Sequence, residues 1–283
     1  MGGRAKQRVA FQGERGAFSQ MAVHQLLGPT VEGVPCPQFE AVFRSLASGQ
    51  VDAAVLPIEN TLHGSVHENY DLLLRFKLPI VGETSVRIVH HLIAPPGTSL
   101  RQVRRVLSHP VALNQCLDFF ARNRRLEKVP YYDTAGSVKM LAEEKPGDAA
   151  AIASDLAAKL YGCKILKRSI EDDRKNFTRF FLLRRDDKRR PAKRGGKPGW
   201  KTSLVFTTRN IPGALFRSLS AFALRDVNLA KIESRPLRGK PWEYLFYLDL
   251  LGHVEDPTVV KALSHLAELA DFLHVLGCYP QGR

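Results

Sequence analysis

What the 283-residue sequence has little of narrows its nature first. No apolar run approaches the ~18 residues that a membrane-crossing helix needs, so no membrane partner is expected. The N-terminal Met1–Arg8 stretch carries positive charge but leads straight into strand-like sequence, without the apolar core of a signal peptide. A cytoplasmic chain is expected, although a plastid protein freed of its transit peptide would read the same way. Cysteine is scarce: Cys36, Cys116, Cys163 and Cys278 lie far apart, with no Cys-x-x-Cys and no Cys/His ligand spacing. They read as buried reduced thiols rather than disulfides or metal ligands. The only adjacent histidines, His90 and His91, would point to opposite faces of a strand, so a metal site has little support.

Acidic residues are also in the minority, and the formal charge of +14 raises nucleic acid as a partner. The excess is concentrated. Between Arg184 and Lys197 eight basic residues face two acidic ones, a net of +6, in a stretch that continues through Pro198 and Gly199. Such a composition cannot bury enough apolar surface to order itself and reads as a linker over 186–200. Aromatic stacking platforms are absent there apart from Trp200, so nucleic acid is set aside as a partner. With 44% hydrophobic and 25% charged residues the rest is ordinary globular protein, long enough for two or three structural units.

Before the linker, strand and helix signals alternate in the manner of an α/β fold with parallel sheet. Strands are expected at 8–13, 51–58, 78–95 (one bent or two), in the strand-to-helix stretch 103–110, at 129–132, 149–154 and 178–185. Helices are expected from Ser19 to Gly28, over Phe39–Ser48, after Pro110, over Ala135–Glu144 and over Asp155–Tyr161. The strands end at short polar turns: Gly13–Ser19, Pro57–Thr61, Ser108–Pro110, Asp133–Ser137 and Ala153–Ser154. In open α/β sheets a ligand binds beyond the carboxyl ends of strands, where helix N-termini offer free N–H groups to anions. Five such turns around one cleft would hold a small polyanion. Each alone is weak, since Ser19, Ser108 or Thr134 serves equally as an N-cap. The spacing Gly13-x-x-Gly16-x-x-Ser19 lacks the third glycine of a dinucleotide site and the lysine of a P-loop.

The run Asp172–Asn176 then precedes Phe177-Thr178-Arg179-Phe180-Phe181-Leu182-Leu183. Strict alternation would send Thr178 and Arg179 to opposite faces; both reach one site only if the regular strand begins near Phe180. Thr178 as a plain strand residue and Arg179 as a surface charge remain the alternative.

The segment NFTRFFLL (176–183) resembles the Asn-x-Thr-Arg-Phe signature of prephenate dehydratases. Other motifs follow that family's order: GxxGxxS at 13–19, PIENTLHGSV at 57–66, SHPVALNQC at 108–116, DTAG at 133–136 and AIAS at 151–154. The likeness covers about residues 8–185. Thr61 stands where Ser is usual, Val111 where Gln is usual, and Asp133 where many members have Ser. The YDTAGS form resembles the group that includes plant arogenate dehydratases.

After the linker, strand signals at 201–208, 229–236, 242–252 and 272–280 alternate with helices over 213–226 and after Asp256-Pro257. The first helix is expected to bury Leu215, Phe216, Leu219, Phe222 and Ala223. The order βαββαβ is ferredoxin-like, and the aromatic signature of an RNA-binding member is missing. Gly213-Ala214-Leu215-Phe216 and Glu233-Ser234-Arg235-Pro236 resemble the phenylalanine-binding motifs of the ACT domain carried by prephenate dehydratases.

The resemblance implies a bilobal, periplasmic-binding-protein-like α/β catalytic domain over 8–185, a basic linker over 186–200 and an ACT domain over 201–283. It implies decarboxylation of prephenate with loss of the ring hydroxyl, giving phenylpyruvate, or the same reaction on arogenate, giving phenylalanine. Phenylalanine would act as allosteric ligand, and a homodimer or dimer of dimers would form. Thr178 is expected to donate to the leaving oxygen and Arg179 to hold a carboxylate, with Asn176 beside them as a third catalytic residue. Gly13, Gly16, Ser19, Asn60, Thr61, Ser108, Thr134 and Ala135 are expected to bind substrate. Glu59 is a candidate acid, but its negative charge beside a dianion is awkward unless it is protonated or faces away. The reaction so implied requires no metal or organic cofactor. A non-catalytic small-anion receptor is the rival of another class.

Overall fold

The computed structural model describes residues 6–186, 199–237 and 243–282. The core of the basic tract, 187–198, thus lies outside the described residues. Close contacts divide the chain into two compact units, one taking the chain to Leu72 with Thr84–Phe181, the other Leu73–Glu83 with everything from Leu182.

The first unit supplies most of two lobes. In the first lobe run β1 (Arg8–Gln12), α1 (Phe18–Leu27), β2 (Glu32–Cys36), α2 (Phe39–Ala47), β3 (Ala53–Asn60), the short β4 (Gly64–Ser65), α3 (His67–Phe76) and β5 (Ile80–Arg87). The second lobe is built from β6 (His91–Ala94), β7 (Arg105–Ser108), α4 (Pro110–Asn114), α5 (Leu117–Arg122), β8 (Glu127–Pro130), α6 (Thr134–Glu144), β9 (Ala149–Ala153), α7 (Asp155–Leu160) and β10 (Lys164–Lys167). The chain then returns to the first lobe as β11 (Phe177–Leu183).

The first sheet runs β5-β11-β3-β1-β2 and the second β10-β6-β9-β7-β8. β1 lies parallel to β2 and β3, and β7 parallel to β8 and β9, as helical crossovers require. Strands at the sheet centres have apolar, fully buried middles: Val9, Ala10, Phe11, Ala53, Ala54 and Val55, and likewise Ala150 to Ala153. The region 78–95 resolves into two strands, β5 in one lobe and β6 in the other. Two adjacent crossings join the lobes, tied by Ile88 N–H to Asn176 O at 2.8 Å and Ile170 N–H to His90 O at 2.9 Å.

Elements that the sequence pattern did not suggest are β2, α3, α5 and β10. β2 contains Gly33 and Pro35, but it is an edge strand, where a missing N–H breaks no ladder.

The second unit carries β12 (Trp200–Thr207), α8 (Ala214–Ala223), β13 (Leu229–Pro236), β14 (Tyr244–Leu251), α9 (Pro257–Leu269) and β15 (Phe272–Pro280) in the order β13-β14-β12-β15. This is the expected βαββαβ arrangement, its core formed by Leu204, Phe206, Phe222, Leu248, Leu250 and Leu266. The helix face needs correcting. α8 buries Ser218, Ala221 and Phe222, whereas Phe216 is 76% exposed and Leu215 36%. Gly213, whose φ of 77° suits glycine, is the N-cap that starts this helix.

Candidate active site

A cavity of about 470 Å3 opens between the two lobes of the first unit. Thr178 and Phe180 line it from β11, Asn60 from the end of β3, Ser19 from the first turn of α1, Thr134 from the first turn of α6, and His63, His90, His109 and Gln115 from the intervening segments. Turns that are far apart in sequence therefore meet, as the α/β order implied.

The local geometry at Thr178 follows from Asn60. Its Oδ1 accepts the N–H groups of Leu62 (2.9 Å) and His63 (3.0 Å), closing the turn after β3 and fixing which end of the amide is which. Its Nδ2 then donates to Thr178 Oγ1 at 2.9 Å, Asn176 Oδ1 at 2.8 Å and Phe177 O at 3.2 Å. Because the Thr178 oxygen accepts from Asn60, its own proton must point elsewhere. Thr178 is 9% exposed, and that exposure is to the cavity.

Arg179 requires a correction. β11 is regular from Phe177, so alternation holds and turns Arg179 away from the face of Thr178. Its guanidinium lies 3.1 Å from Glu59 Oε2, and its Cζ lies 5.2 Å from the centroid of Phe181, the next residue on that face. Arg179 and Glu59 do not line the cavity; they tie β11 to β3. Asn176 is fully buried behind Asn60, its Oδ1 taking the Asn60 amide and its Nδ2 left without a hydrogen bond. It supports the site rather than facing substrate.

Several expected binding groups are engaged by the protein itself. Ser108 is fully buried and donates to Ile152 O at 2.6 Å, because β7 and β9 are neighbours. Thr61 donates to Lys175 O at 2.8 Å and accepts from Phe177 N–H at 3.0 Å, anchoring the entry to β11. Ala135 is buried with its N–H turned to the Asp133 carboxylate. In the Gly13–Ser19 turn, Gly13 N–H donates to Cys36 O at 2.9 Å and Gly16 N–H to Gln20 Oε1 at 2.7 Å. Gly16, at φ 92°, packs so closely that a Cβ would lie 2.7 Å from Ala157 Cα. Ser154 donates to Gly16 O at 2.7 Å from the same side. The two glycines thus let the turn dock on the second lobe instead of cradling a ligand, and of this turn only Phe18 and Ser19 line the cavity.

A chain of polar contacts crosses the cavity wall that sequence reasoning did not assemble. Gln115 Nε2 lies 3.3 Å from His63 Nε2, and Gln115 Oε1 lies 2.8 Å from His90 Nε2. With Gln115 donating to His63, it accepts from His90 Nε2–H, which leaves His90 Nδ1 a bare acceptor, buried and without a hydrogen bond. His109 Nδ1 accepts from Val111 N–H at 3.2 Å, so its neutral ring carries the proton on Nε2. Both Gln115 and His63 sit inside quoted motifs; what no local pattern announces is that residues so far apart in sequence meet.

Burial holds His90 and His91 below the ordinary imidazole pKa. In the unfolded chain each would titrate near ~6.5, so below that pH the unfolded state takes up protons that the folded state resists. Tm is therefore expected to fall as pH drops from about 7 to about 5.5, with His90→Gln flattening the slope. A Tm independent of pH over that window would contradict this. Asp133 shifts upward, because burial outweighs the N–H groups of Gly136, Ala135 and Glu14 that favour its charge.

Among the described residues no group of three His, Cys, Asp or Glu side chains could hold a metal ion, and no helix is long and apolar enough to cross a membrane.

The comparisons agree with this arrangement. A family model described as prephenate dehydratase matches residues 9–188, and one described as ACT domain matches residues 202–268. A protein of Arabidopsis thaliana named arogenate dehydratase/prephenate dehydratase 2, chloroplastic, is 47% identical over 96% of this chain and 72% of its own length. The solved structure of prephenate dehydratase from Arthrobacter aurescens in complex with L-Phe is 32% identical, with a TM-score of 0.86 over 96% of this chain and 90% of that one. A structure titled GqqA, a novel type of quorum quenching acylase, is 36% identical, with a TM-score of 0.88 over 97% of this chain and 98% of that one. On the strength of the matched span and these identities, the chain belongs to the prephenate dehydratase family.

Proposed function

We propose that this chain decarboxylates and dehydrates prephenate or its aminated counterpart arogenate in the cleft between the lobes. The observation that carries the reading is the Asn60–Thr178 contact at 2.9 Å, which leaves the Thr178 proton for the cavity. In the reaction the bond from the ring to its carboxylate breaks and CO2 departs. That electron pair completes the aromatic ring as the C–O bond at the opposite carbon breaks, and the oxygen leaves as water once protonated. Aromatisation supplies the driving force, so the site needs mainly to position the substrate and stabilise negative charge on the departing oxygen. A Thr hydroxyl is too weak an acid to give up its proton unaided. Thr178 polarises the leaving oxygen, and a water completes the transfer.

No Lys or Arg is among the described residues that line the cavity. Carboxylates are held instead by weaker, oriented donors: His109 Nε2–H, Thr134 and the first turn of α1, whose N-cap Ala17 offers no side-chain acceptor to compete. The test is formation of CO2 and of phenylpyruvate or phenylalanine by the purified full-length chain. Acylase activity, named for one similar structure, is the control reaction.

The chain divides in this reading into a catalytic part over 8–185, a basic tether over 186–200 and a regulatory part over 201–283 that senses phenylalanine. Support comes from exposed Phe216 beside Gly213 and from the position of Glu233–Pro236 on β13, an edge strand with Ile232 45% exposed. The open edge suits pairing with a second copy, as a homodimer or dimer of dimers. Phenylalanine is expected to lower activity severalfold, and Gly213→Val, which strains a φ of 77°, to blunt that response without changing basal kcat. Full inhibition of the variant at the same concentration would place the effector elsewhere. The four free cysteines suit a reducing compartment, the cytoplasm or a plastid.

A further inference from the structure

Among the described residues lining the cavity, Asp133 is the only carboxylate, and no Lys or Arg stands with it to neutralise it. Capping alone does not explain it. Its Oδ1 accepts Gly136 N–H at 2.7 Å at the start of α6, a task that a neutral Ser or Asn performs equally well. A carboxylate offers about four acceptor positions. The N–H groups of Gly136, Ala135 and Glu14 occupy three, which leaves one on a side chain that borders the cavity. A second vacant acceptor on the same wall is His90 Nδ1.

Vacant acceptors and a lone negative charge suit a cation, not a second anion. Prephenate and arogenate share the ring, its carboxylate and the leaving hydroxyl. They differ at one carbon, where prephenate carries a carbonyl oxygen, itself an acceptor, and arogenate an ammonium with three N–H donors. Resting on the dehydratase reading above, we infer that Asp133 selects the aminated substrate by accepting a hydrogen bond from its ammonium. The ammonium also lowers the substrate's net charge from −2 to −1, which lessens the repulsion that Asp133 exerts on a dianion.

The test is kcat/KM of the full-length chain on arogenate and on prephenate, for the wild type, Asp133→Asn and Asp133→Ser. Asn and Ser both keep a capping oxygen and remove the charge. The wild type should prefer arogenate. In both variants the arogenate-to-prephenate ratio should fall by about ten- to a hundredfold, the worth of one charge-assisted hydrogen bond, mainly through KM for arogenate. A ratio unmoved in both variants, or equal losses on both substrates, would mean that Asp133 is only a cap. Wild-type preference for prephenate overturns the inference without any variant. Turnover of neither substrate would sink the dehydratase reading and this inference with it.

Discussion

Thr178→Ala is expected to leave the fold intact and lower kcat by about 10²–10³-fold, the usual worth of one preorganised donor at a developing oxyanion. The argument is geometric. Thr178 Oγ1 is an acceptor for Asn60 Nδ2 at 2.9 Å, and Thr178 lines the cavity, so its O–H is the group presented to the leaving hydroxyl. Substrate binding does not depend on that hydrogen bond while charge is still undeveloped, so KM should move little. Thr178→Ser keeps the hydroxyl and should recover most of the rate. Comparable rates for the Ala and Ser variants would show that the lost methyl, not the hydroxyl, mattered.

Asn60→Ala should lower kcat by a similar factor and also destabilise the protein by about 1–3 kcal/mol, because it leaves the buried Asn176 Oδ1 without its donor. It also removes the acceptor for Leu62 and His63 N–H, loosening the turn that brings His63 to Gln115. If Asn60 acts by orienting Thr178, the two losses share one cause. The double variant Asn60→Ala/Thr178→Ala should then be little slower than the slower single variant. Additive losses would mean that Asn60 contributes by a route of its own.

Much of the fold was legible because its central strands are continuous apolar runs and its helices start at recognisable caps. Pro110 at the first position of α4 is one case; at α6 the cap is Asp133, one residue before the Thr134 that the sequence suggested. The tail was legible to its strand boundaries at β13 and β15. β2 was not, since Gly33 and Pro35 disguise a strand whose edge position tolerates them. At the site, the sequence pointed to the turns but not to what each residue there does. Thr178 and Asn60 face the cavity, while Ser108, Thr61 and Gly16 are engaged in holding strands and lobes together. A hydroxyl or N–H in a motif does not disclose its partner; Ser108 meets Ile152 only because β7 and β9 pair. Arg179 illustrates the period-2 rule: β11 is regular from Phe177 and not from Phe180, so Thr178 and Arg179 take opposite faces. The contact of His90 with Gln115 escaped notice because it joins the crossing after β5 to the turn between α4 and α5. Phe216 was counted among the core positions because helical spacing alone does not tell which stripe of α8 lies against the sheet; it is exposed.

The central claim is that the cleft carries out decarboxylative dehydration with Thr178 as its donor. The measurement that bears on it most directly is CO2 release per aromatic product formed, followed on prephenate and arogenate with the wild-type chain and with Thr178→Ala. The account expects one CO2 per product from at least one substrate, and a rate about 10²–10³-fold lower in the variant at unchanged KM. Binding of either substrate without CO2 release, or an undiminished rate in the variant, would contradict it.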